Sequence, residues 1–234
     1  MKVTLTRVTT NPILAIEEAA SNCYDSEPTA DGRIMKACYR SGHHSVLEFA
    51  DFTFHIEGIS RACSHQLVRH RCASYAQRSQ RYVSEKGFDY VTPKSIAEDT
   101  SLLVVYDDTI NTINSAYNYL VENGIPAEDA RMLLPNACET VIEVKMNGRE
   151  LIHFMNERMC TRAQWEIREL ALKMKQEVAA YDEECNKFSE FLMPKCMAQK
   201  PYVFCTEHGS CGMVPKLKDV YTAYLETKEG DSND

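Results

Sequence analysis

The segment from Gly58 to Ser84 is the strongest candidate for chemistry, because it concentrates positive charge in an acidic chain. It contains five Arg and two His and no Asp, Glu or Lys, although the whole chain carries 34 Asp and Glu against 26 Lys and Arg. Ser, Gln and Tyr are interleaved with the arginines. Arginine forks bind phosphates through paired N–H donors, and a neighbouring hydroxyl suits the same site. The segment therefore predicts an anion site, and a solvated basic surface is the alternative.

Backbone periodicity predicts which side chains of this segment act together. On a helix, Gln66, Arg69 and His70 would share one face. In an extended chain after Arg78, Ser79 and Arg81 would share one face.

A second candidate is the stretch that follows Gly42, with His43, His44, Ser45 and Glu48. One interpretation is a loop that presents imidazole and hydroxyl donors, and another is a capping Ser with surface His. Zinc binding by His43, His44 and Glu48 is a third possibility, although the spacing differs from that of protease motifs.

A third candidate is the segment that begins at Asn147 and Gly148. These residues precede a predicted helix, whose free N–H groups favour an anion or a carbonyl. Arg149 and His153 lie one turn apart on the same face, whereas Arg158 lies about 180° further round. Two adjacent ligands would explain this arrangement. The alternative is a helix whose cations pair with Glu150, Glu157 and Glu166.

Isolated polar and thiol side chains complete the candidates. Arg131 lies on an apolar turn, where it either snorkels to solvent or points into a cleft. Of the ten cysteines, the first seven are interpreted as reduced, buried hydrophobes. A Cys3His zinc site is conceivable near the C-terminus, but unpaired thiols are the preferred interpretation and no metal ligand is predicted. The residues concerned are Cys196, Cys205, His208 and Cys211.

Composition limits the classes of protein to consider. The chain has 234 residues, 44% of them hydrophobic, which is enough for a sizeable core. The net charge of −8 argues against a protein that coats a nucleic-acid duplex. The longest apolar run, 101–106, is far shorter than the roughly 20 residues of a membrane span. No signal peptide is visible at the N-terminus, so we expect a cytoplasmic protein with no membrane partner.

The elements that would position these residues are mostly helical. Periodicity predicts a helix-rich α+β single domain with a small, mainly antiparallel sheet and a disordered tail over 229–234. Helices are predicted at 11–24, 31–41, 59–68, 98–122, 126–134, 149–159 and 163–191, and strands at 49–56 and 140–145.

The chain resembles the flavin-dependent thymidylate synthases. The resemblance rests on Arg69-His70-Arg71, seven intervening residues and Ser79-Gln80-Arg81. It covers about residues 10–195. Residues 1–195 are interpreted as the catalytic domain, and 196–234 as a Cys-containing extension with a partly disordered tail. Further matching motifs are Gly42-His43, Phe52-Thr53-Phe54-His55, Ala130-Arg131 with Leu134-Pro135, Asn147 with Arg149, and Ala163-Gln164-Trp165-Glu166-Ile167.

The resemblance implies two sets of ligand contacts. The residues implied for FAD are His43, Ser45, Arg69, His70, Arg71, Gln77, Asn147, Gly148, Arg149 and His153. The residues implied for dUMP are Gln66, Arg69, Gln77, Arg78, Ser79, Gln80, Arg81, Arg131 and Arg158. Gln77 stands where many relatives carry Glu, and His153 where many carry Asn.

The implied activity is the reductive methylation of dUMP to dTMP. FAD is the cofactor, NADPH the reductant and 5,10-methylenetetrahydrofolate the methylene donor, in a homotetramer with active sites at subunit interfaces. Arg158 is the implied catalytic residue, which favours the ionised uracil ring. The family uses no enzyme Cys nucleophile, so Cys72 is predicted to pack. The alternatives are a single-stranded nucleic-acid binder that uses residues 61–82 and a metal-sensing module built on the C-terminal cysteines.

Overall fold

A four-stranded sheet and a larger set of helices make up the fold of the computed structural model, which describes residues 1–198 and 203–230. The strands are β1 (Lys2–Val8), β2 (Asp51–Ser60), β3 (Ala73–Gln77) and β4 (Glu139–Asn147). The helices are α1 (Pro12–Tyr24), α2 (Arg33–Arg40), α3 (Arg61–Leu67), α4 (Lys94–Ala97), α5 (Thr100–Glu122), α6 (Ala127–Ala130), α7 (Gly148–Arg158), α8 (Trp165–Tyr181), α9 (Glu183–Ser189), α10 (Lys195–Ala198) and α11 (Leu217–Gly230). Two 3-10 helices span His44–Phe49 and Arg131–Leu133.

The sheet has the order β1-β2-β4-β3 and is antiparallel. Its two central strands alternate between buried apolar and more exposed polar side chains, as strands with one covered face do. In β2, Phe52, Phe54 and Ile56 are fully buried. In β4, the same holds for Ile142 and Val144. The predicted helix-rich α+β class with a small antiparallel sheet is therefore confirmed.

The chain divides into two compact units. The first comprises Met1–Thr6 and Thr53–Lys145, and the second comprises Arg7–Phe52 and Met146–Asp234. The sequence predicts a single domain up to residue 195. It does not predict that two compact units, each built from two separate stretches of the chain, make up this region. The boundary predicted between residues 195 and 196 matches neither unit and stays a prediction.

Each unit has its own packing. In the first unit, Phe88, Ile110 of α5 and Cys138 form a buried cluster. In the second unit, α8 packs against α9, and α7 packs against α8 and the 3-10 helix His44–Phe49. The Phe188 ring of α9 lies 4.7 Å from that of Phe52, centroid to centroid.

Several predicted helices are confirmed with small shifts, but the long helix 163–191 is wrong. It ends at Tyr181, because Asp182 takes an extended backbone conformation. The Asp182 carboxylate accepts the backbone N–H of Cys185 at 2.7 Å and thereby starts α9 as a new helix.

The region of β2 also differs from its prediction. Phe49 is 63% exposed and belongs to the preceding 3-10 helix, while the strand continues to Ser60. The Ser60 hydroxyl accepts the backbone N–H of Cys63 at 2.9 Å, so α3 begins at Arg61 rather than at Ile59.

Other differences are smaller. Strands β1 and β3 were not predicted, and the helix predicted at 126–134 is the short α6 followed by a 3-10 turn. The helix predicted at 31–41 is α2, Arg33–Arg40, and its buried side chains are those of Met35 and Cys38. The tail predicted as disordered falls mostly outside the described residues, except that 229–230 belong to α11. None of the described helices is both long and apolar enough to cross a membrane.

Candidate active site

In the first unit, the Arg-rich segment leaves its helix within one residue of the predicted end at residue 68. Because α3 ends at Leu67, Arg69 and His70 lie in the turn that follows, and the helical face that they would share with Gln66 does not form. The turn is closed by the His70 N–H, which donates to the Leu67 carbonyl at 3.1 Å. The Tyr75 hydroxyl lies 2.9 and 2.8 Å from the carbonyl oxygens of Leu67 and His70.

This turn presents two guanidinium groups. His70 is 5% exposed, whereas Arg69 and Arg71 on either side of it are exposed. Within the part of the chain that the structure describes, neither Arg69 nor Arg71 forms an ion pair. The two cations are therefore available to an anionic ligand.

Ser79 and Arg81 come together through a serine turn rather than an extended strand. The backbone N–H of Arg81 donates to Ser79 Oγ at 3.3 Å, and that of Val83 donates to the Ser79 carbonyl at 3.0 Å. The chain is therefore not extended after Arg78, because β3 ends at Gln77, and the condition for a shared strand face is not met. Serine favours such local turns by bonding its own neighbouring backbone.

Carboxylates from outside the segment reach its distal arginines. Arg78 Nε lies 3.5 Å from Glu85 Oε1, and Arg81 Nη2 lies 3.0 Å from Glu128 Oε2. The Arg81–Glu128 pair is about half exposed on both sides, so it contributes little to stability, and a charged ligand could compete for Arg81 at small cost. Glu85 is 7% exposed, so taking Arg78 from this buried carboxylate would be costly.

Two glutamines of the segment are partly committed to internal contacts. Gln77 Nε2 donates to Ser64 Oγ at 2.9 Å and to Thr140 Oγ1 at 3.2 Å. Gln80 is 8% exposed, and its Nε2 lies 3.7 Å from Cys138 Sγ. Contacts of either side chain with a ligand stay predictions.

Arg61 is a candidate that the sequence reasoning counted only as positive charge. Its Nη1 is buried and has no hydrogen-bond partner among the described residues. Burial lowers the pKa of this guanidinium, and the nearby charge of Arg131 lowers it further. Arg131 is half-buried, and its Nε donates to the Glu128 carbonyl at 3.1 Å. The side chain therefore neither extends fully into solvent nor is left without a hydrogen bond. An anion beside both arginines would relieve their repulsion.

In the second unit, the predicted His-rich loop begins with Gly42 at φ +78°, a conformation that favours glycine. His44 Nε2 lies 3.0 Å from the Tyr39 carbonyl, and its ring stacks on Tyr39 at 5.2 Å. His44 therefore has a structural role, while His43 and Ser45 are exposed. No group of three or more His, Cys, Asp or Glu in the described residues could hold a metal ion, which removes support from the zinc interpretation of this loop.

The start of α7 is closed rather than open to an anion. Asn147 Oδ1 accepts the backbone N–H of Glu150 at 2.9 Å, and the Gly148 N–H donates to the Ala50 carbonyl at 2.7 Å. The predicted free N–H at Gly148 is therefore wrong. Glycine is required there because a Cβ would lie 2.7 Å from the Leu47 carbonyl oxygen.

The cations of α7 lie on the helix as the spacing predicts, but Arg149 pairs with a carboxylate outside the helix. Arg149 Nη1 lies 2.7 Å from Glu48 Oε1, not beside Glu150. Glu150 is buried, and burial raises its pKa. His153 is exposed one turn beyond Arg149, and Arg158 is the last residue of the helix, on the opposite side.

A cavity of about 830 Å³ in this unit reaches His153. Tyr39 and Phe191 form aromatic parts of its wall, and Arg40 is one of its cations. Asn156 Oδ1 is buried without a partner among the described residues, so it offers an acceptor at the cavity. The sequence reasoning missed Asn156, although it lies one turn after His153.

The candidate residues divide between the two units. The first unit holds Gln66, Arg69, His70, Arg71, Gln77, Arg78, Ser79, Gln80, Arg81 and Arg131. The second holds His43, Ser45, Asn147, Gly148, Arg149, His153 and Arg158.

The cysteines are only partly buried, contrary to the prediction. Cys23 and Cys72 are exposed and Cys160 is half-buried, so the prediction that Cys72 packs in the fold is wrong. Burial raises the pKa of Cys138 to about 11 and that of Cys185 to about 12, as expected of inert thiols.

Comparisons with known proteins identify the family. The family described as thymidylate synthase complementing protein matches residues 4–182. The flavin-dependent thymidylate synthase of Geobacter sulfurreducens is 49% identical over 186 residues, which cover 74% of this chain and 80% of that protein. The enzyme of the same name from Pyrococcus furiosus is 43% identical over 97% of this chain and 99% of its own.

Solved structures agree on the fold. The Helicobacter pylori flavin-dependent thymidylate synthase, crystallised with FAD and dUMP, matches with a TM-score of 0.67 at 22% identity, over 82% of this chain and all of that one. The Arg-rich signature, the extent of the family match and the identity to full-length relatives lead to one conclusion: this chain is a member of the flavin-dependent thymidylate synthase family.

Proposed function

We propose that this protein converts dUMP to dTMP by reductive methylation, with FAD as cofactor, methylenetetrahydrofolate as methylene donor and NADPH as reductant. The observation that carries the proposal is the Arg69-His70-Arg71 turn within a family signature, which presents two exposed guanidinium groups that form no ion pair with the residues that the structure describes. A dinucleotide with a diphosphate is the kind of ligand that such a pair of forks binds.

The residues present fit a flavin. Arg69 and Arg71 would hold the diphosphate, while Arg149 and His153 lie on one exposed face of α7. When bound, FAD supplies the hydride-transfer chemistry that side chains lack. The protein contributes the guanidinium groups of the Arg69-His70-Arg71 turn, the helix α7 that orients Arg149 and His153, and the cavity that reaches His153.

The nucleotide would be held by hydroxyl and guanidinium donors. The serine turn places Ser79 beside the Arg81 backbone, and Arg131 and Arg61 supply a second cationic pair for the phosphate. Arg158 would lie by the uracil ring, where its fixed positive charge stabilises negative charge that develops during methyl transfer. A guanidinium stays protonated at any working pH, so this stabilisation needs no proton transfer.

The assembly is a further part of the proposal. A homotetramer with active sites at subunit interfaces, working in the cytoplasm, would bring copies of the same candidate residues together. The single-stranded nucleic-acid alternative has less support, because the family match runs through its whole segment, 61–82.

The decisive experiment measures tritium release from dUMP labelled at C5, with the purified protein. We expect a yellow protein whose tritium release requires both methylenetetrahydrofolate and NADPH. Release without folate, or a colourless protein that stays inactive after added FAD, would overturn the proposal.

A further inference from the structure

Four cysteine side chains surround one small enclosed cavity in the second unit. The cavity has a volume of about 30 Å³ and lies between the end of α7 and the C-terminal extension. The thiols that line it belong to Cys160, Cys196, Cys205 and Cys211. His208, which the sequence grouped with the last three, is not among the lining residues.

The loop of the extension is held against the residues that follow α7. A methyl group at Gly209 would lie 3.5 Å from Arg162 Cζ, so the Arg162 side chain rests on this loop. Cys211 Sγ receives a hydrogen bond from Thr161, the residue directly after Cys160. This contact places Cys211 beside the residue that follows Cys160, and both cysteines line the same cavity.

Cys211 has the surroundings of a reactive thiol. It is exposed, and its pKa is lowered by the hydrogen bond from Thr161, by the backbone N–H of Met213 and by the charge of Arg168. Thiolate, not thiol, is the nucleophile towards peroxides and disulfides.

Among the other thiols of the cavity, Cys196 has a raised pKa. Burial raises it most, and the nearby Cys160, Cys205 and Cys211 raise it further. Cys160 is half-buried, and its Sγ accepts a hydrogen bond from the backbone N–H of Arg162 at 3.5 Å. A reactive thiol with a second thiol in the same cavity is the arrangement in which a sulfenic acid is resolved as a disulfide.

Four thiols also suggest a metal, but the geometry favours covalent pairing. Among the described residues, no three His, Cys, Asp or Glu side chains stand in an arrangement that could hold a metal ion. A disulfide needs only two of the sulfur atoms to meet.

We propose that Cys211 and Cys160 form an oxidation-sensitive pair, which hydrogen peroxide converts into a disulfide that ties the C-terminal extension to the end of α7. In the first step the Cys211 thiolate attacks one peroxide oxygen, the O–O bond breaks, and with one added proton the products are a sulfenic acid and water. In the second step the Cys160 sulfur attacks the Cys211 sulfur, the S–O bond breaks, and the thiol proton leaves with the hydroxyl as water. Two thiols are oxidised and one peroxide is reduced. Cys160 lies two residues beyond Arg158 in the sequence, but the proposal does not depend on the proposed function.

The test treats the full chain with hydrogen peroxide, blocks free thiols and maps peptides by mass spectrometry. We expect one cross-linked peptide pair containing Cys160 and Cys211, lighter by two hydrogen atoms and released by dithiothreitol. Oxidation should also slow protease cleavage within the extension. In Cys160→Ser, dimedone should trap a sulfenic acid on Cys211. In Cys211→Ser the cross-link should vanish, whereas the exposed control Cys23→Ser should retain it.

Three outcomes would overturn the proposal. The first is no loss of free thiols at peroxide concentrations that oxidise ordinary sensor cysteines. The second is pairing of Cys211 with any cysteine other than Cys160. The third is a purified protein that carries stoichiometric zinc and whose four cavity thiols react only after a chelator removes the metal.

Discussion

At the scale of single residues, Arg158 is the side chain on which the proposed chemistry depends most. It ends α7 and is half-buried, where the negative end of the helix dipole favours a cation. We expect Arg158→Ala to lower kcat by about tenfold or more, because a fixed charge near the developing anion is lost. Steady-state kinetics and the flavin absorbance spectrum check this result together.

The matched control for Arg158 is another cation of the same helix. Arg149→Ala removes a charge that pairs with Glu48, and it should weaken flavin retention rather than turnover of the loaded enzyme. An unchanged kcat in Arg158→Ala would remove that residue from the mechanism.

Cys72 provides a second prediction for a single residue. It directly follows Arg69-His70-Arg71 and is exposed, so its position alone would allow it to act as a nucleophile towards a bound substrate. We expect Cys72→Ser to keep kcat within about twofold of the parent, because no step of the proposed reaction forms a covalent bond to an enzyme thiol. Complete loss of turnover with FAD still bound would contradict this assignment.

At the scale of elements, the junction of β4 and α7 positions the cations of the second unit. The Asn147 side chain caps the helix through the Glu150 N–H. Asn147→Ala should lower the free energy of unfolding by about 1 kcal/mol, because a capping acceptor is lost. Asn147→Asp keeps the acceptor and should be nearly neutral, and urea denaturation measures both variants. Equal loss in the two would show that the cap contributes nothing.

The same junction shows what the sequence could and could not predict. Periodicity located α1, α5 and α7 because each has a continuous helical pattern with clear ends. It missed β3, whose side chains alternate only between half-buried and exposed positions. It predicted the end of α3 to within one residue, but it could not predict the turn that follows, which the Tyr75 hydroxyl holds through the carbonyl oxygens of Leu67 and His70.

The candidate site shows the same contrast between local patterns, which the sequence carries, and tertiary contacts, which it does not. Residue type and spacing selected Arg69, Arg149 and Arg158 as candidate cations, because arginines without carboxylates beside them in the sequence favour an anionic partner. Spacing could not reveal Glu48 as the partner of Arg149, since the two residues are 101 positions apart. Nor could it reveal that the Gly148 N–H is already used by Ala50.

At the scale of the whole molecule, the dependence of stability on pH is measurable at an ion cluster on the sheet. His55 Nδ1 lies 2.6 Å from Glu143 Oε1, and His55 Nε2 lies 3.4 Å from Glu57 Oε1. Lys2 Nζ lies 3.4 Å from the other Glu57 oxygen. The hydrogen bond to Glu143, followed by that to Glu57, raises the pKa of His55 above its ordinary value of 6.5. The His55 and Lys2 side chains lower the pKa of Glu57 below its ordinary value of 4.5.

These two shifts act at opposite ends of the pH range. A His whose pKa is raised by folding adds stability that is complete below pH 6.5 and is lost as the pH rises through its folded pKa. A Glu whose pKa is lowered adds stability that is present above pH 4.5 and is lost as the pH falls through its folded pKa. The combined contribution is therefore greatest between pH 4.5 and pH 6.5. We expect His55→Gln to lower the urea midpoint most in this window and to match the parent once the pH exceeds the folded pKa of His55, where the imidazole is neutral in both states. Since the net charge of −8 affects parent and variant alike, the difference between their pH profiles isolates the cluster. A constant difference across the whole range would show that His55 contributes through packing instead of charge.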